Sequence, residues 1–338
     1  MGISLSRRSI SSAVTVAFAT CAVAVTVSPA HAAEAGGRPG GGGGRPTVVL
    51  VHGAFADASG WNDVAARLLD DGFDVVAPPN ELRGLANDAA DVASLLKSIS
   101  GPIVLAGHSY GGAVISQAAA GNPNVKGLVY VSAFAPDVGE SPAELSAKFA
   151  GSDLATALNP VPFTERGGSG TDLYIRGDKF RDVFAADLSE SRTRLMAAEQ
   201  RPVAEAGFGE KATAAAWRDI PSWFVVSKQD RAIAPDLERF EAKRANSHTV
   251  EIDSSHVSMM SHPDVIVRQI REAAGVAGDG GGSGGSGSGG GGGGAAVAAE
   301  LAATGSRGQA IAAVGAVGAV ALVSGSALTR FVRRREAR

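Results

Sequence analysis

The sequence contains almost no cysteine. Its single cysteine, Cys21, lies in an apolar stretch near the N-terminus. For the rest of the chain this excludes disulfides, cysteine nucleophiles and thiolate metal sites. No metal-binding cluster is recognisable, and the glycine-rich tracts are not framed by a strand and a helix, as a nucleotide-binding loop would be. We therefore predict neither a metal ion nor another cofactor.

An excess of positive charge is also lacking. The formal net charge at pH 7 is −3, from 31 basic and 34 acidic residues. Eight of the basic residues but only one acidic residue lie within 1–32 and 305–338, which leaves 23 basic and 33 acidic residues between these ends. A surface with this acidic balance argues against nucleic acid as a partner.

Glycine, by contrast, is abundant and unevenly distributed. It dominates residues 36–44 and 276–294, which cannot bury enough apolar area to hold a fold. We therefore predict linkers over 33–45 and 276–300. The segment between them, 46–275, has an ordinary globular composition and is long enough for one well-buried core.

The first 32 residues have the three parts of a secretory signal. Arg7 and Arg8 provide a charged start, residues 13–27 are apolar, and 30–32 form an A-x-A cleavage site. We predict that this signal peptide is removed and the protein is secreted. The paired arginines leave both general secretion and the twin-arginine route open.

The C-terminal residues 301–338 resemble a cell-wall sorting signal. The motif LAATG at 301–305 precedes an apolar stretch, 310–328, and an arginine-rich tail. As a helix that stretch would be about 28 Å long, close to the hydrocarbon thickness of a bilayer, which predicts a transmembrane helix. Because LAATG fits the LAxTG variant that some actinobacterial sortases accept, a sortase-like transpeptidase would cut between Thr304 and Gly305 and attach the protein to the cell wall. A plain membrane anchor at the cell surface is the alternative.

Apolar runs and amphipathic helices alternate in the central segment. Strands are predicted over 47–51, 74–77, 103–106, 128–131 and 223–226, with a last strand ending near 250–252, and helices over 61–69, 85–96 and 111–119 and from Pro263. This alternation predicts a mostly parallel sheet with right-handed crossovers and flanking helices. Sites in such sheets lie at the carboxyl ends of the strands.

The alternation lapses between about 136 and 216. This stretch is helix-prone and carries scattered aromatic residues, which are Phe149, Phe163, Tyr174, Phe180, Phe184 and Phe208. We predict a small helical cap inserted over the site.

A G-x-S-x-G motif at 107–111 follows one predicted strand and opens a helix. In that context it is a nucleophile elbow, in which glycines flank the serine because the turn leaves no room for side chains. The motif predicts Ser109 as the nucleophile and the N–H of Tyr110 as an oxyanion donor. The loop after the first strand supplies the second donor, the N–H of Ala54, because Gly53 lets the backbone turn inward.

A serine nucleophile needs a base. His256 follows the last strand, where the chain order Ser, Asp, His puts the base. His262 is the rival, but it precedes Pro263 and is better suited to cap the following helix. Of the other histidines outside the signal, His52 lies in the first loop and His108 in the elbow, while exposure is the simplest interpretation of His248.

The acid that orients the base is expected at a carboxyl end as well. Asp230 closes the strand at 223–226 and fits both position and chain order. Asp137, after the preceding strand, and Asp236, in the next helix, are the alternatives.

Together, the segments VLVHGAFADASGW, APPNELRGL, VLAGHSYGGAVI and SSHVSMMSHP resemble small bacterial esterases related to plant methylesterases and hydroxynitrile lyases. The resemblance covers about 46–275 and implies the α/β-hydrolase fold, with Ser109, Asp230 and His256 as catalytic triad, Ala54 and Tyr110 as oxyanion donors, and a small-molecule ester as substrate.

Two alternative functions are weighed against the ester hydrolase. In the lyase branch of the family a threonine follows the first-loop histidine and a lysine follows the catalytic histidine. Gly53 and Val257 stand in these places, which favours the esterase. Hydrolases that use aspartate in the elbow are excluded because Ser109 occupies that place. A wall-displayed binding protein with a dormant hydrolase fold is the other alternative, and the complete set of triad residues argues against it.

Overall fold

The computed structural model of the protein describes residues 44–165 and 168–276. The predicted signal peptide (1–32), nearly all of both linkers and the tail from 301 to 338 lie outside these residues.

The strands of the described part are β1 (Thr47–Val51), β2 (Val75–Val76), β3 (Ile103–His108), β4 (Val125–Val131), β5 (Leu158–Glu165), β6 (Gly168–Ile175), β7 (Val203–Ala204), β8 (Ser222–Ser227) and β9 (His248–Ile252). The α-helices are α1 (Asn62–Asp70), α2 (Leu85–Ser98), α3 (Tyr110–Ala118), α4 (Pro142–Lys148), α5 (Leu154–Ala157), α6 (Gly177–Phe184), α7 (Glu190–Glu199), α8 (Glu205–Gly209), α9 (Pro235–Arg244), α10 (Ser258–Ser261) and α11 (Pro263–Ala273).

Six strands form the predicted parallel sheet, in the order β2-β1-β3-β4-β8-β9. Its central strands are covered on both faces, so their side chains are fully buried and their sequences are continuous apolar runs. Leu105 of β3, for example, pairs with Val49 of β1 on one side and Leu128 of β4 on the other. Because all six strands run the same way, the loops after β1, β3, β8 and β9 meet at one edge of the sheet.

The flanking helices begin where their sequences predict. α11 starts at Pro263, whose missing N–H costs nothing in the first turn. Its apolar residues Ile266, Val267 and Ile270 are buried. The helix therefore packs with its apolar face against the sheet, as its 3.6-residue spacing requires.

The cap between β4 and β8 is mixed rather than purely helical. It contains α4 to α8, but also a three-stranded antiparallel sheet in the order β5-β6-β7. Pro160 and Pro162 lie in β5, which pairs on one side only, and an edge strand is where the missing N–H groups of proline are tolerated. The glycines at 168 and 170 lie at the start of β6.

One prediction requires correction. Among the described residues no helix is long and apolar enough to cross a membrane. The longest, α2, has 14 residues and spans about 21 Å, less than the roughly 30 Å of a bilayer's hydrocarbon. The described structure therefore contains no transmembrane helix, and the prediction of one does not stand. The stretch for which it was made, 310–328, lies outside the described residues.

Candidate active site

Ser109 lies in a strained turn between β3 and α3. Its φ of 55° is unusual for a residue with a side chain and costs about 1–3 kcal/mol, which the surrounding structure must offset. The turn requires glycine on both sides. A Cβ at Gly107 would lie 2.6 Å from the carbonyl oxygen of Gly111, and one at Gly111 would lie 2.6 Å from that of Val51. The motif thus forms the predicted elbow.

Backbone hydrogen bonds hold this elbow against the end of β4. The Ser109 N–H donates to the carbonyl oxygen of Val131 at 3.2 Å, and the Ser109 carbonyl accepts from Phe134 N–H at 3.1 Å. The strained residue is therefore fixed by the neighbouring strand and the loop that follows it. Only 6% of Ser109 is exposed.

His256 and Asp230 form a buried pair at the same edge of the sheet. His256 Nδ1 lies 2.6 Å from Asp230 Oδ2, and each residue is 1% exposed. The other carboxylate oxygen, Oδ1, accepts from the N–H groups of Ala232 at 2.7 Å and Ile233 at 2.8 Å. Because a carboxylate oxygen accepts, the imidazole donates from Nδ1, which leaves Nε2 of the neutral ring as a hydrogen-bond acceptor.

His108, the variable residue of the elbow, joins Ser109's turn to the loop of His256. Its Nε2 donates to the His256 carbonyl oxygen at 3.0 Å, and the two ring centroids lie 4.7 Å apart. Burial lowers the pKa of His108 well below its ordinary value, and the charge of His256 acts in the same direction. His108 is thus a neutral connector, which its place in the motif alone does not reveal.

The loop after β1 passes directly against the elbow. A Cβ at Gly53 would lie 2.6 Å from the Ser109 Cβ, so only glycine fits there. Neither the Ala54 N–H nor the Tyr110 N–H has a hydrogen-bond acceptor among the described residues. Both amides are therefore available to a ligand. The next residue, Phe55, has a φ of 61° and donates its N–H to the carbonyl oxygen of Arg201 at 3.0 Å.

His52 organises this loop, a role that sequence analysis missed. Its Nδ1 donates to the Gly53 carbonyl at 2.9 Å, while its Nε2 accepts from the N–H of Asn80 at 2.9 Å. Asn80 Nδ2 in turn donates to the His52 carbonyl at 3.1 Å. Burial lowers the pKa of His52, which keeps the ring neutral and Nε2 free to accept.

The rival residues have other partners. His262 lies 3.0 Å from the Ser261 hydroxyl, and its carbonyl oxygen accepts the first N–H groups of α11. His248 is exposed on β9. Asp137 is paired with Arg218, and Asp236 with Arg239.

Two fully buried carboxyl groups, those of Glu238 and Glu241, lie on α9, the helix that follows Asp230. Glu238 Oε2 accepts the N–H of Ser227 at 3.1 Å, and burial followed by the charge of Asp230 raises its pKa well above the ordinary value. Burial also raises the pKa of Glu241 to about 8. Sequence analysis missed both, because acidic residues in a strongly charged helix are ordinarily solvated.

An apolar pocket of about 490 Å³ is lined by residues of the cap and by Ala232. Phe208 and Ala232 belong to its wall. The Phe208 ring centroid lies 5.8 Å from that of Tyr110, and the Ala232 N–H donates to Asp230. α4 and α5 contribute small and apolar side chains to the wall, among them Ala147 and Leu154.

Comparison with known proteins identifies the family. A sequence model of the alpha/beta hydrolase family matches residues 48–269. The chain belongs to the alpha/beta hydrolase family. The predicted fold and the resemblance to esterases of this superfamily are thereby confirmed.

Individual relatives of this alpha/beta hydrolase cover its central domain. The Alpha/beta hydrolase nvfD of Aspergillus novofumigatus is 29% identical over 254 residues, which are 68% of this chain and 97% of that protein. Methylesterase 2 of Arabidopsis thaliana is 24% identical over 251 residues, or 64% of this chain and 92% of that protein. Among solved structures, polyneuridine aldehyde esterase superposes with a TM-score of 0.60 at 18% identity and covers 68% of this chain and 99% of its own, a similarity of fold.

Proposed function

We propose that this alpha/beta hydrolase is a secreted carboxylic ester hydrolase that acts through an acyl-enzyme on Ser109. The observation that carries the proposal is the 2.6 Å contact between His256 Nδ1 and Asp230 Oδ2 at the strand edge that also holds the strained Ser109. This arrangement fits a serine nucleophile with an oriented base. The esterases among its relatives support the same chemistry.

The reaction proceeds in two halves. His256 Nε2 takes the proton of the Ser109 hydroxyl while Ser109 Oγ attacks the ester carbonyl carbon. The N–H groups of Ala54 and Tyr110 stabilise the resulting oxyanion, and the intermediate collapses by breaking the bond to the alcohol oxygen, which receives the proton from His256. Water, deprotonated by His256, then attacks the acyl carbon; the bond to Ser109 Oγ breaks, Oγ receives the proton from His256, and the acid is released.

Asp230 keeps its negative charge throughout these steps. It holds the imidazole in the tautomer with Nε2 free, and it stabilises the imidazolium that forms. Two backbone N–H groups donate to its second oxygen.

The apolar pocket supports an ester with a sizeable apolar part. Its walls consist mostly of alanine, glycine, leucine and phenylalanine residues. Such walls favour alkyl or aromatic groups through burial of apolar area. Both the acyl and the alcohol side of the ester are candidates for this pocket.

A fluorophosphonate probe and a panel of p-nitrophenyl esters test this function. We expect the protein to be labelled at Ser109 and to hydrolyse the esters, and Ser109→Ala to abolish both. A well-folded protein that is neither labelled nor active would favour the dormant binding protein. Cleavage of mandelonitrile above background would favour the lyase, which Val257, apolar and fully buried beside the base, argues against.

We also propose that the protein is exported and displayed at the cell wall. The support is the signal peptide predicted over 1–32 and the LAATG motif, whose position after a glycine-rich linker suits access by a sortase-like enzyme. Mass spectrometry of digested cell walls should find a C-terminal peptide that ends at Thr304 with a wall fragment attached. Peptides that run through Gly305 in every fraction would contradict the proposal.

A further inference from the structure

The cap holds the loop that carries the base. Asp187 lies between α6 and α7, and its carboxylate accepts hydrogen bonds from the residues directly before His256. Asp187 Oδ2 lies 3.0 Å from the Ser254 hydroxyl and 3.1 Å from the Ser255 N–H. Asp187 Oδ1 accepts from the Ser255 hydroxyl. Three donors from two consecutive residues thus converge on a single carboxylate.

The same cap segment also touches the imidazole. Phe184, the last residue of α6, is fully buried, and its ring centroid lies 5.0 Å from that of His256. It lies 6.3 Å from the ring of His108 as well. Phe184 therefore packs against the ring of the base, while Asp187, three residues later, holds the backbone that leads to it.

The residues from 253 to 257 belong to neither a helix nor a strand, so regular backbone hydrogen bonds do not fix them. Asp253, the first of these residues, is exposed and paired with Lys228, and an exposed ion pair of this kind contributes little to stability. Further along, the carbonyl of His256 is held by His108. Between these two points the Gln229 N–H donates to the Ser254 carbonyl at 3.1 Å, and Asp187 binds the Ser255 N–H and the hydroxyls of both serines.

Asp187 is suited to this task because it stays ionised. Burial raises its pKa, but the hydrogen bonds donated by Ser255, Ser261 and Ser254 outweigh burial and hold the pKa below the ordinary value. An ionised carboxylate has only acceptors and matches three donors without conflict. An asparagine would turn an NH₂ group toward one of these donors.

We propose that Asp187 is a positioning residue of the active site, which acts through Ser254 and Ser255 to set the place of His256 relative to Ser109. The cap of this alpha/beta hydrolase thereby takes part in assembling the base in addition to covering the site. This inference rests on the proposed function where it is tested by the rate of ester hydrolysis. It also makes a claim about the geometry of His256 that holds without a substrate.

The first test compares Asp187→Asn with Asp182→Asn. Asp182 is exposed on α6, five residues earlier, and its side chain has no hydrogen bond or ion pair within the described part of the chain. We expect Asp187→Asn to lower kcat for p-nitrophenyl acetate by about 10- to 100-fold, as a misplaced base does, with KM changed less than about twofold. Asp182→Asn should behave like the wild type.

A second variant guards against loss of folding. Ser255→Ala removes only the hydroxyl donor to Asp187 and should lower kcat in the same way, to a smaller extent. Because both changes break one contact, the double variant should lose less than the product of the two single losses. Strictly multiplicative losses, or a kcat for both variants within about twofold of Asp182→Asn, would overturn the proposal.

Proton NMR separates this proposal from the ester hydrolase function. The His256 Nδ1–H bonded to Asp230 gives a far-downfield signal, which should shift or broaden in Asp187→Asn and stay unchanged in Asp182→Asn. A wild-type protein without esterase activity would refute the proposed function, while the NMR signal would still decide whether Asp187 positions His256. An unchanged signal in Asp187→Asn would overturn the inference.

Discussion

Asp230 and His256 are 26 residues apart in sequence, yet His256 Nδ1 lies 2.6 Å from Asp230 Oδ2. The two residues follow β8 and β9, which are neighbours in the sheet and run parallel. Their loops therefore leave the sheet side by side. Between them the chain forms α9, β9 and three short connections, so one crossover brings the carboxylate and the imidazole together.

This pair leads to the first prediction. Ser109→Ala and His256→Ala should each lower kcat/KM for p-nitrophenyl acetate by at least about 10⁴-fold, and the double variant should lose little more, because the residues act as one unit. His262→Ala is the matched control and should retain most activity, since that residue contacts Ser261 and caps α11. An inactive His262→Ala with an active His256→Ala would contradict the assignment of the base.

The elbow leads to a second prediction. In Gly111→Ala the new Cβ would lie 2.6 Å from the carbonyl oxygen of Val51, which is backbone of a central strand. We expect this overpacking to reduce the free energy of unfolding by about 1–3 kcal/mol and to lower turnover, because relief of the clash displaces Ser109. Urea unfolding and ester hydrolysis measure the two effects.

Gly177→Ala provides the comparison for the elbow variant. Gly177 is the first residue of α6, and a Cβ there would meet nothing within 4 Å. This variant should be as stable as the wild type or slightly more so, because alanine favours a helix. Equal stability of the two alanine variants would show that the elbow tolerates a side chain.

The sheet could be predicted from sequence because its signals are local. Residues 47–51 were expected as a strand and form β1 with the same bounds, and the run at 103–106 forms the core of β3. Such strands are apolar throughout because they are covered on both faces. The elbow is equally accessible, since its serine and both glycines lie within five consecutive residues, although the atom that excludes a Cβ at Gly111 belongs to Val51.

The rest depends on contacts between distant residues. β7 contributes two residues to the cap sheet and pairs with a strand about 30 residues earlier, which no local pattern reveals. Likewise, the sequence does not show that His52 accepts from Asn80, or that Asp187 reaches the loop of His256. These side chains acquire their partners only once the cap and the loops are folded over the sheet.

The apolar pocket leads to a third prediction. Ala147 on α4 belongs to its wall, so Ala147→Trp should fill part of the space. We expect kcat/KM for esters with long or aromatic groups to fall about 10-fold or more, whereas p-nitrophenyl acetate should be hydrolysed almost as before. A p-nitrophenyl series with increasing acyl length and a series of acetates with increasing alcohol size would show which part of the ester occupies the pocket.

The control for the pocket is Ala198→Trp. Ala198 is exposed on α7, and tryptophan there should leave both ester series unchanged. If Ala147→Trp also leaves both series unchanged, the pocket does not bind the substrate.

The last prediction concerns Glu241, whose pKa burial raises to about 8. Its Oε1 accepts the N–H of Ala135 at 2.9 Å, but Arg244 is 3.9 Å away, too far to compensate fully for burial. In the unfolded chain a glutamate releases its proton near pH 4.3. Between about pH 4.3 and 8 the folded protein therefore binds the extra proton, and its stability falls as the pH rises. Glu241→Gln keeps the acceptor for Ala135 and cannot titrate, so its free energy of unfolding relative to the wild type should increase from pH 5 to pH 8 by about 3–4 kcal/mol. Urea unfolding at several pH values measures this difference, and Glu199→Gln, exposed on α7, should show none. A difference that stays constant with pH would mean that Glu241 is already ionised in the folded protein at pH 5.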